Sequence, residues 1–182
     1  LVEREKLPHR CHLTRRIHLL PDFLGNRSPK ADPDARGAIH GLTLYPDLDD
    51  FARLYYATVQ ATAYGTRDIL EALNAKGYSV RRLHVTGGHL KNPLWLQEHA
   101  DATGCTLVIP KEPEGVLLGA AILGAVAAGV YEDIPAAMAA MSSAGSTLRP
   151  DPRTARYHEA KMRIHQDLYN SQKRYDALVD KA

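Results

Sequence analysis

Hydrophobic and polar positions divide the chain into blocks of different period. From residue 51 to residue 73 the apolar positions Phe51, Leu54, Tyr55, Val59, Ile69 and Leu73 recur every three or four residues, which predicts a long amphipathic helix. Asp47 and Asp50 stand at its start, where a carboxylate caps free amides and meets the positive end of the helix dipole. Gly77 ends it. Gly65, in mid-helix, costs about 1 kcal/mol against alanine, which predicts that another backbone approaches there. "YSVRRLHVT" (78–86) and "CTLVIP" (105–110) read as strands. Between them, Asn92 and Pro93 read as the N-cap and first residue of a helix that runs to Thr103 and stops at Gly104. "EPEG" leads into an almost wholly apolar helix over 115–130, and a shorter helix runs from about Ile134 to Met141. The last helix, over 151–180, is amphipathic, with Tyr157, Ile164, Leu168, Tyr175 and Leu178 on its apolar side.

The first forty residues are less regular. Leu1 to Arg16 is polar and poorly periodic, and "IHLLPDF" (17–23) is a short strand ended by Pro21. The loop "LGNRSPKADPDARGAIHG" follows, dense in Gly, Pro, Asn and Asp. A loop of that length in a compact domain is functional or disordered. Strands joined by helices place the chain in the α/β class, with right-handed crossovers and parallel pairing. Two clear strands make a thin sheet, so further strands are expected N-terminal to this chain or within its first twenty residues.

Composition narrows the picture mainly by exclusion. With 23 basic and 21 acidic residues the net charge is +2, which implies no partner by bulk electrostatics. Residues 1–30 hold seven Lys or Arg against three acids but lack interleaved aromatics apart from Phe23, so a solvated face is expected there rather than a nucleic-acid surface. Cys11 and Cys105 lie in no motif, the pattern of a reduced, cytoplasmic protein. The uncharged run from Gly115 to Tyr131 falls short of the roughly 20 residues a bilayer span needs, so a buried core helix is expected and a membrane is not. The chain starts at Leu1 rather than Met, which raises the expectation of a fragment.

Among chemical signals the strongest is "HVTGGHLKNP". A strand ending in Thr-Gly-Gly puts two residues without side chains at the carboxyl edge of a parallel sheet, where ligands of open α/β folds bind. A helix N-terminus, which favours anions, follows within a few residues. A nucleotide could lie flat on Gly87 and Gly88 with the Asn92 amide beside it. The same glycines also suit a tight turn that needs positive φ, and pattern alone does not decide between the two. Gly115, Gly119, Gly124 and Gly129 make a narrow helix suited to close packing. In "GNRSP" (25–29), Arg27 suits either a phosphate, a substrate hydroxyl network or a carboxylate as ligand, or a loop-bracing pair with Asp22, Asp32 or Asp34. Nine histidines show no metal-ligand spacing, the serines lie in no nucleophile elbow, and the paired acids Asp49–Asp50 and Glu132–Asp133 are explained by capping.

Three stretches in order, "LPDFLGNRSPKADPDARGAIHGLTL", "VTGGHLKNPLWLQEHADATG" and "EPEGVLLGAAILGAVAAGVY", resemble the C-terminal part of the FGGY carbohydrate kinases. The resemblance is strongest over 17–142, and "HLLPDFLGNRSP" is most similar to the branch with D-ribulokinases and ribitol kinases. It implies a C-terminal ribonuclease-H-like domain of the actin-like ATPase fold, the whole chain 1–182 being the nucleotide side of such a kinase. It implies ATP and Mg2+ as cofactors, a sugar or sugar alcohol as substrate, and the N-terminal domain of the same kinase as partner. Homo-oligomerisation is left open. By the same resemblance Gly87 and Gly88 contact the nucleotide, Asn92 stands beside the nucleoside, and Asn26 and Arg27 fall in a loop near the interdomain cleft. The family's catalytic aspartate and its two phosphate-binding turns have no counterpart here, so the base is expected outside this chain, and no metal ligand is assigned within it. The rival expectations are another ATPase of the actin-like fold and a non-catalytic interaction domain.

Overall fold

The computed structural model describes residues 2–3, 5–44 and 47–181; Leu1, Arg4, Tyr45, Pro46 and Ala182 lie outside the described residues. Among the described residues, five strands and five α-helices follow one another in this order: β1 His18–Leu20, β2 Ala38–His40, α1 Leu48–Ala75, β3 Arg82–His84, α2 Pro93–Thr103, β4 Thr106–Pro110, α3 Gly115–Ala127, α4 Ile134–Met141, β5 Ala144–Leu148 and α5 Ala155–Val179. β3 and β4 pair in parallel, with Leu83 opposite Leu107, as the intervening helix requires. The other pairings are antiparallel and correct the all-parallel expectation. β5 joins β4 to make the order β3-β4-β5, and β1 and β2 form a separate two-stranded sheet. β2 lies inside the stretch that reads as loop, and β5 ("AGSTL") carries no alternating apolar pattern because its side chains are mostly exposed.

The local rules place the helix ends. Asp47 accepts from the amide of Asp50 at 2.8 Å and caps α1. Asn92 caps α2, Pro93 occupies its first turn, and Gly104 ends it in the left-handed region at φ +69°. Gly65 departs from expectation: a Cβ built on it meets nothing within 4 Å, so no neighbouring backbone needs the glycine.

One part of the core, Leu96, Ala100 and Leu107, lies between α2 and the three-stranded sheet; the other sits between α1, α2 and α5, and much of it is polar. Glu98 of α2, 2% exposed, accepts from the Tyr56 hydroxyl and from Gln60 Nε2 (3.1 Å), both on α1. Thr14 donates to Gln60 Oε1, and Tyr157 of α5 lies 2.8 Å from the Thr14 hydroxyl. Tyr64 and His158 Nδ1 are 3.0 Å apart. Lys161 donates to the carbonyls of Thr14 (3.0 Å) and Ile17, tying α5 to the chain entering β1. The buried stripe of α5 is therefore His158, Lys161, Met162 and His165. Tyr175 and Leu178, expected on its apolar side, are exposed.

The third and fourth helices differ. α3 contacts α4 and has one buried residue, Ile122, while Val116 and Leu117 stand in the open. The expected burial of the 115–130 helix is thus not met within this chain. Nor do its glycines serve close packing, Gly115 apart: Gly119 and Gly124 face open space, and Gly129 (φ +72°) follows the helix end.

Candidate nucleotide site

Two glycines follow β3, and they are there for different reasons. Gly87 has φ +86° and ψ −160°, a region that side chains rarely adopt. Gly88 opens a short 3-10 helix (Gly88–Lys91) and has no positive φ. A Cβ on Gly88 meets no atom within 4 Å. Neither backbone conformation nor packing within the chain calls for glycine there, so the bare backbone faces outward.

The turn is held from behind. Thr86 Oγ1 donates to the Pro113 carbonyl (3.1 Å) and accepts from the Gly115 amide (3.1 Å), and the Gly87 amide also reaches Pro113 (3.3 Å). A Cβ on Gly115 would sit 2.3 Å from Thr86 Oγ1, which explains that glycine. The carboxyl ends of both parallel strands and the start of α3 are thus stitched into one edge. Ahead of it lies α2. Asn92 Oδ1 accepts from the Trp95 amide (3.1 Å), and its Nδ2 donates to the Tyr55 hydroxyl (3.2 Å). Trp95 stacks on His99 with ring centroids 3.4 Å apart and lies 4.3 Å from the His89 ring. Burial lowers the His99 pKa to about 4, so the imidazole is neutral at pH 7. This aromatic stack behind the turn gave no sequence signal beyond the i, i+4 spacing of Trp95 and His99.

The structure brings Gly87, Gly88 and Asn92 into one turn and puts Asn26 and Arg27 elsewhere, in the loop after β1. Asn26 is used up by that loop. Its Nδ2 donates to both oxygens of buried Asp22 (3.1 Å each), its Oδ1 accepts from the Lys30 amide (3.2 Å), and its backbone exchanges bonds with Asp32. Asp32 in turn accepts from Tyr169 and Lys173 of α5, which hold its carboxyl below the usual carboxylate range. The brace expected of Arg27 is supplied by Asn26 instead. Arg27 is exposed and has no hydrogen bond or ion pair among the described residues.

A cavity of ≈ 470 Å³ is lined by neither group of residues, but by Arg15, Arg16, Leu42, Phe51 and Arg53 among others. Among the described residues no three His, Cys, Asp or Glu side chains stand together as a metal site, and no helix is long and apolar enough to cross a membrane.

Residues 2–128 match the FGGY family of carbohydrate kinases, C-terminal domain. The chain is 47% identical over 168 residues to a human FGGY carbohydrate kinase domain-containing protein, covering 92% of this chain and 30% of that protein. It is 34% identical over 128 residues to a D-ribulokinase of Saccharomyces cerevisiae, covering 70% of this chain and 18% of that protein. Among solved structures it superposes on a ligand-bound xylulose kinase from Lactobacillus acidophilus with TM-score 0.71 at 25% identity, over 87% of this chain and 31% of that one. The fold is that of the ribonuclease-H-like C-terminal domain of sugar kinases, the actin-like ATPase fold. The chain spans about a third or less of each of these proteins.

Proposed function

Because the chain belongs to the FGGY family of carbohydrate kinases, as its C-terminal domain, we propose that it is the nucleotide-binding half of an ATP-dependent kinase acting on a pentulose or pentitol of the D-ribulose or ribitol type. The observation that carries the nucleotide is Gly88, a glycine at a sheet edge that nothing in the chain's own packing or conformation requires. A flat nucleoside can approach such backbone where any side chain would stand in its way. The N-terminus of α2 follows the turn within a few residues, and the start of α3 is tied to it through Gly115 and Thr86, so the positive ends of two helix dipoles lie near this turn and favour the negative charge of a polyphosphate. Gly87 sets the direction of the turn, and Asn92 fixes α2 and Tyr55 beside it. Likeness to a D-ribulokinase supports the five-carbon substrate.

ATP supplies the phosphoryl group, and the transfer is driven by positioning and charge stabilisation around Mg2+. No residue of this chain is assigned to Mg2+ or to the base that takes the proton of the attacking hydroxyl. Both belong to the preceding domain, the second partner in a cytoplasmic enzyme that closes on its sugar to exclude water. Arg27, exposed and with no hydrogen bond or ion pair among the described residues, is assigned to the cleft. Coupled ADP release, measured with D-ribulose, ribitol, D-xylulose and glycerol, tests this reading. The longer protein should turn over at least one five-carbon substrate, and the 182-residue chain none. Turnover of glycerol alone would overturn the substrate class, and turnover by the short chain would place the base within it.

A further inference from the structure

The tyrosines of α1 have different fates. Tyr56 is buried and gives its hydroxyl proton to Glu98, and buried Tyr64 is joined to His158 Nδ1 at 3.0 Å. Tyr55 is 51% exposed. Its hydroxyl has one partner among the described residues, the side-chain amide of Asn92, which donates to it at 3.2 Å. A phenol oxygen that accepts from an amide still carries a proton of its own. Among the described residues that proton has no acceptor.

The amide that holds Tyr55 belongs to the glycine turn. Asn92 closes the short 3-10 helix that Gly88 opens, and its backbone amide donates to the His89 carbonyl at 3.0 Å. At a rise of about 2 Å per residue, the four residues of that helix put Asn92 roughly 8 Å beyond Gly88, a separation that one nucleoside bridges. The Asn92 Oδ1 is held by the Trp95 amide at the start of α2. One end of this side chain is thus fixed by α2 and the other meets Tyr55, so the residue that ends the turn also sets the direction of the Tyr55 hydroxyl.

We propose that the Tyr55 hydroxyl is a further contact of the nucleoside that lies on Gly88: it donates to an acceptor atom of the base or the ribose, and Asn92 positions it by donating to the same oxygen. A nucleoside suits both features, because its flat base passes over bare backbone and its ring nitrogens and ribose oxygens accept hydrogen bonds. Tyr56, the next residue, cannot serve, since it is buried and Glu98 takes its proton. The proposal rests on the reading of Gly88 as the nucleotide contact. It adds a residue from α1, where the hydrophobic pattern predicts for Tyr55 only a place on the apolar side of the helix.

Calorimetric titration of the longer protein with Mg-ADP and with Mg-tripolyphosphate, which has no nucleoside, tests it. Tyr55→Phe keeps the ring and removes the hydroxyl. It should weaken Mg-ADP about threefold or more and leave Mg-tripolyphosphate within about twofold. Asn92→Ser keeps a capping oxygen for α2 but lacks the amide. Its effect on Mg-ADP should be smaller in the Tyr55→Phe background than in the parent, as for residues that act through one another. A Tyr55→Phe loss that vanishes with Mg-dADP puts the acceptor on the ribose 2′-oxygen, and one that persists puts it elsewhere on the nucleoside; both support the contact. Unchanged Mg-ADP affinity in Tyr55→Phe overturns the proposal. So does an equal loss for ADP and tripolyphosphate, which would make Tyr55 a prop of the turn, and so does a fully additive effect of Asn92→Ser. A parent protein that binds no Mg-ADP removes the nucleotide reading and this contact together, whereas a parent that binds it no better than Tyr55→Phe loses only the contact.

Discussion

α2 and α3 follow two neighbouring parallel strands, yet they reverse the ordinary relation between hydropathy and burial. α2 carries Glu98 and His99, each 2% exposed. α3 has no polar side chain at all, and only Ile122 is buried. The difference lies in what each helix faces. α2 lies on α1, whose Tyr56 and Gln60 hydrogen-bond the Glu98 carboxylate, so a charged residue is accommodated inside. α3 contacts α4, and its Val116, Leu117 and Leu123 are exposed among the described residues. Polarity sets the partner a residue needs, and the partner's location sets whether the residue is buried. A buried carboxylate with its donors beside it is complete; a bare leucine is half of a contact.

The largest effect expected from this contrast is on α2. Glu98→Ala removes the acceptor of two buried donors and leaves a cavity, a loss of about 3 kcal/mol. Urea unfolding of the 182-residue chain measures it, and a loss below about 1 kcal/mol would erase the contrast. Next comes pH. Burial lowers the His99 pKa from its ordinary value of 6.5 to about 4 in the folded chain. Below pH 6.5 the unfolded chain therefore takes up a proton that the folded chain does not. The stability linked to neutral His99 is complete above pH 6.5 and falls as the pH drops toward 4, with a slope of up to about 1.4 kcal/mol per pH unit. His99→Gln should flatten the pH profile over this window relative to the parent, a comparison in which the opposite contribution of Glu98, whose pKa burial raises, cancels. An unchanged slope would mean that His99 is solvated. The smallest effect belongs to the apolar helix: Leu123→Ser should change the stability of the 182-residue chain by less than about 0.5 kcal/mol. A loss like that of Glu98→Ala would show α3 to be covered within the chain itself.

The same distinction separates what could be read in advance from what could not. Features set by a residue and its near neighbours were legible: the Asp47 cap of α1, the Asn92–Pro93 start and Gly104 stop of α2, and the parallel pairing of strands joined by a helix. Features set by distant partners were not. β5 has no alternation to reveal it, because its pairing is by backbone and its side chains are mostly exposed. The buried stripe of α5 was missed because His158, Lys161 and His165 read as solvent-facing until Tyr64 and the carbonyls of Thr14 and Ile17 are placed against them. Glycines show both cases. Gly104 was explained by its local conformation, whereas Gly65 and Gly119 were expected to meet a neighbouring backbone that this chain does not supply. At the site, the order of strand, glycines and helix was readable, and the use of Asn26 as the brace of its own loop was not.

The central claim is that Gly88 is bare because a nucleotide lies on it, and calorimetric titration with Mg-ADP tests this most directly. The 182-residue chain should bind Mg-ADP, and Gly88→Val should weaken binding by at least about tenfold, ~1.4 kcal/mol. Its circular dichroism and unfolding midpoint should stay those of the parent, since the open space at Gly88 accommodates the side chain. Equal affinity in a folded Gly88→Val protein would contradict the account.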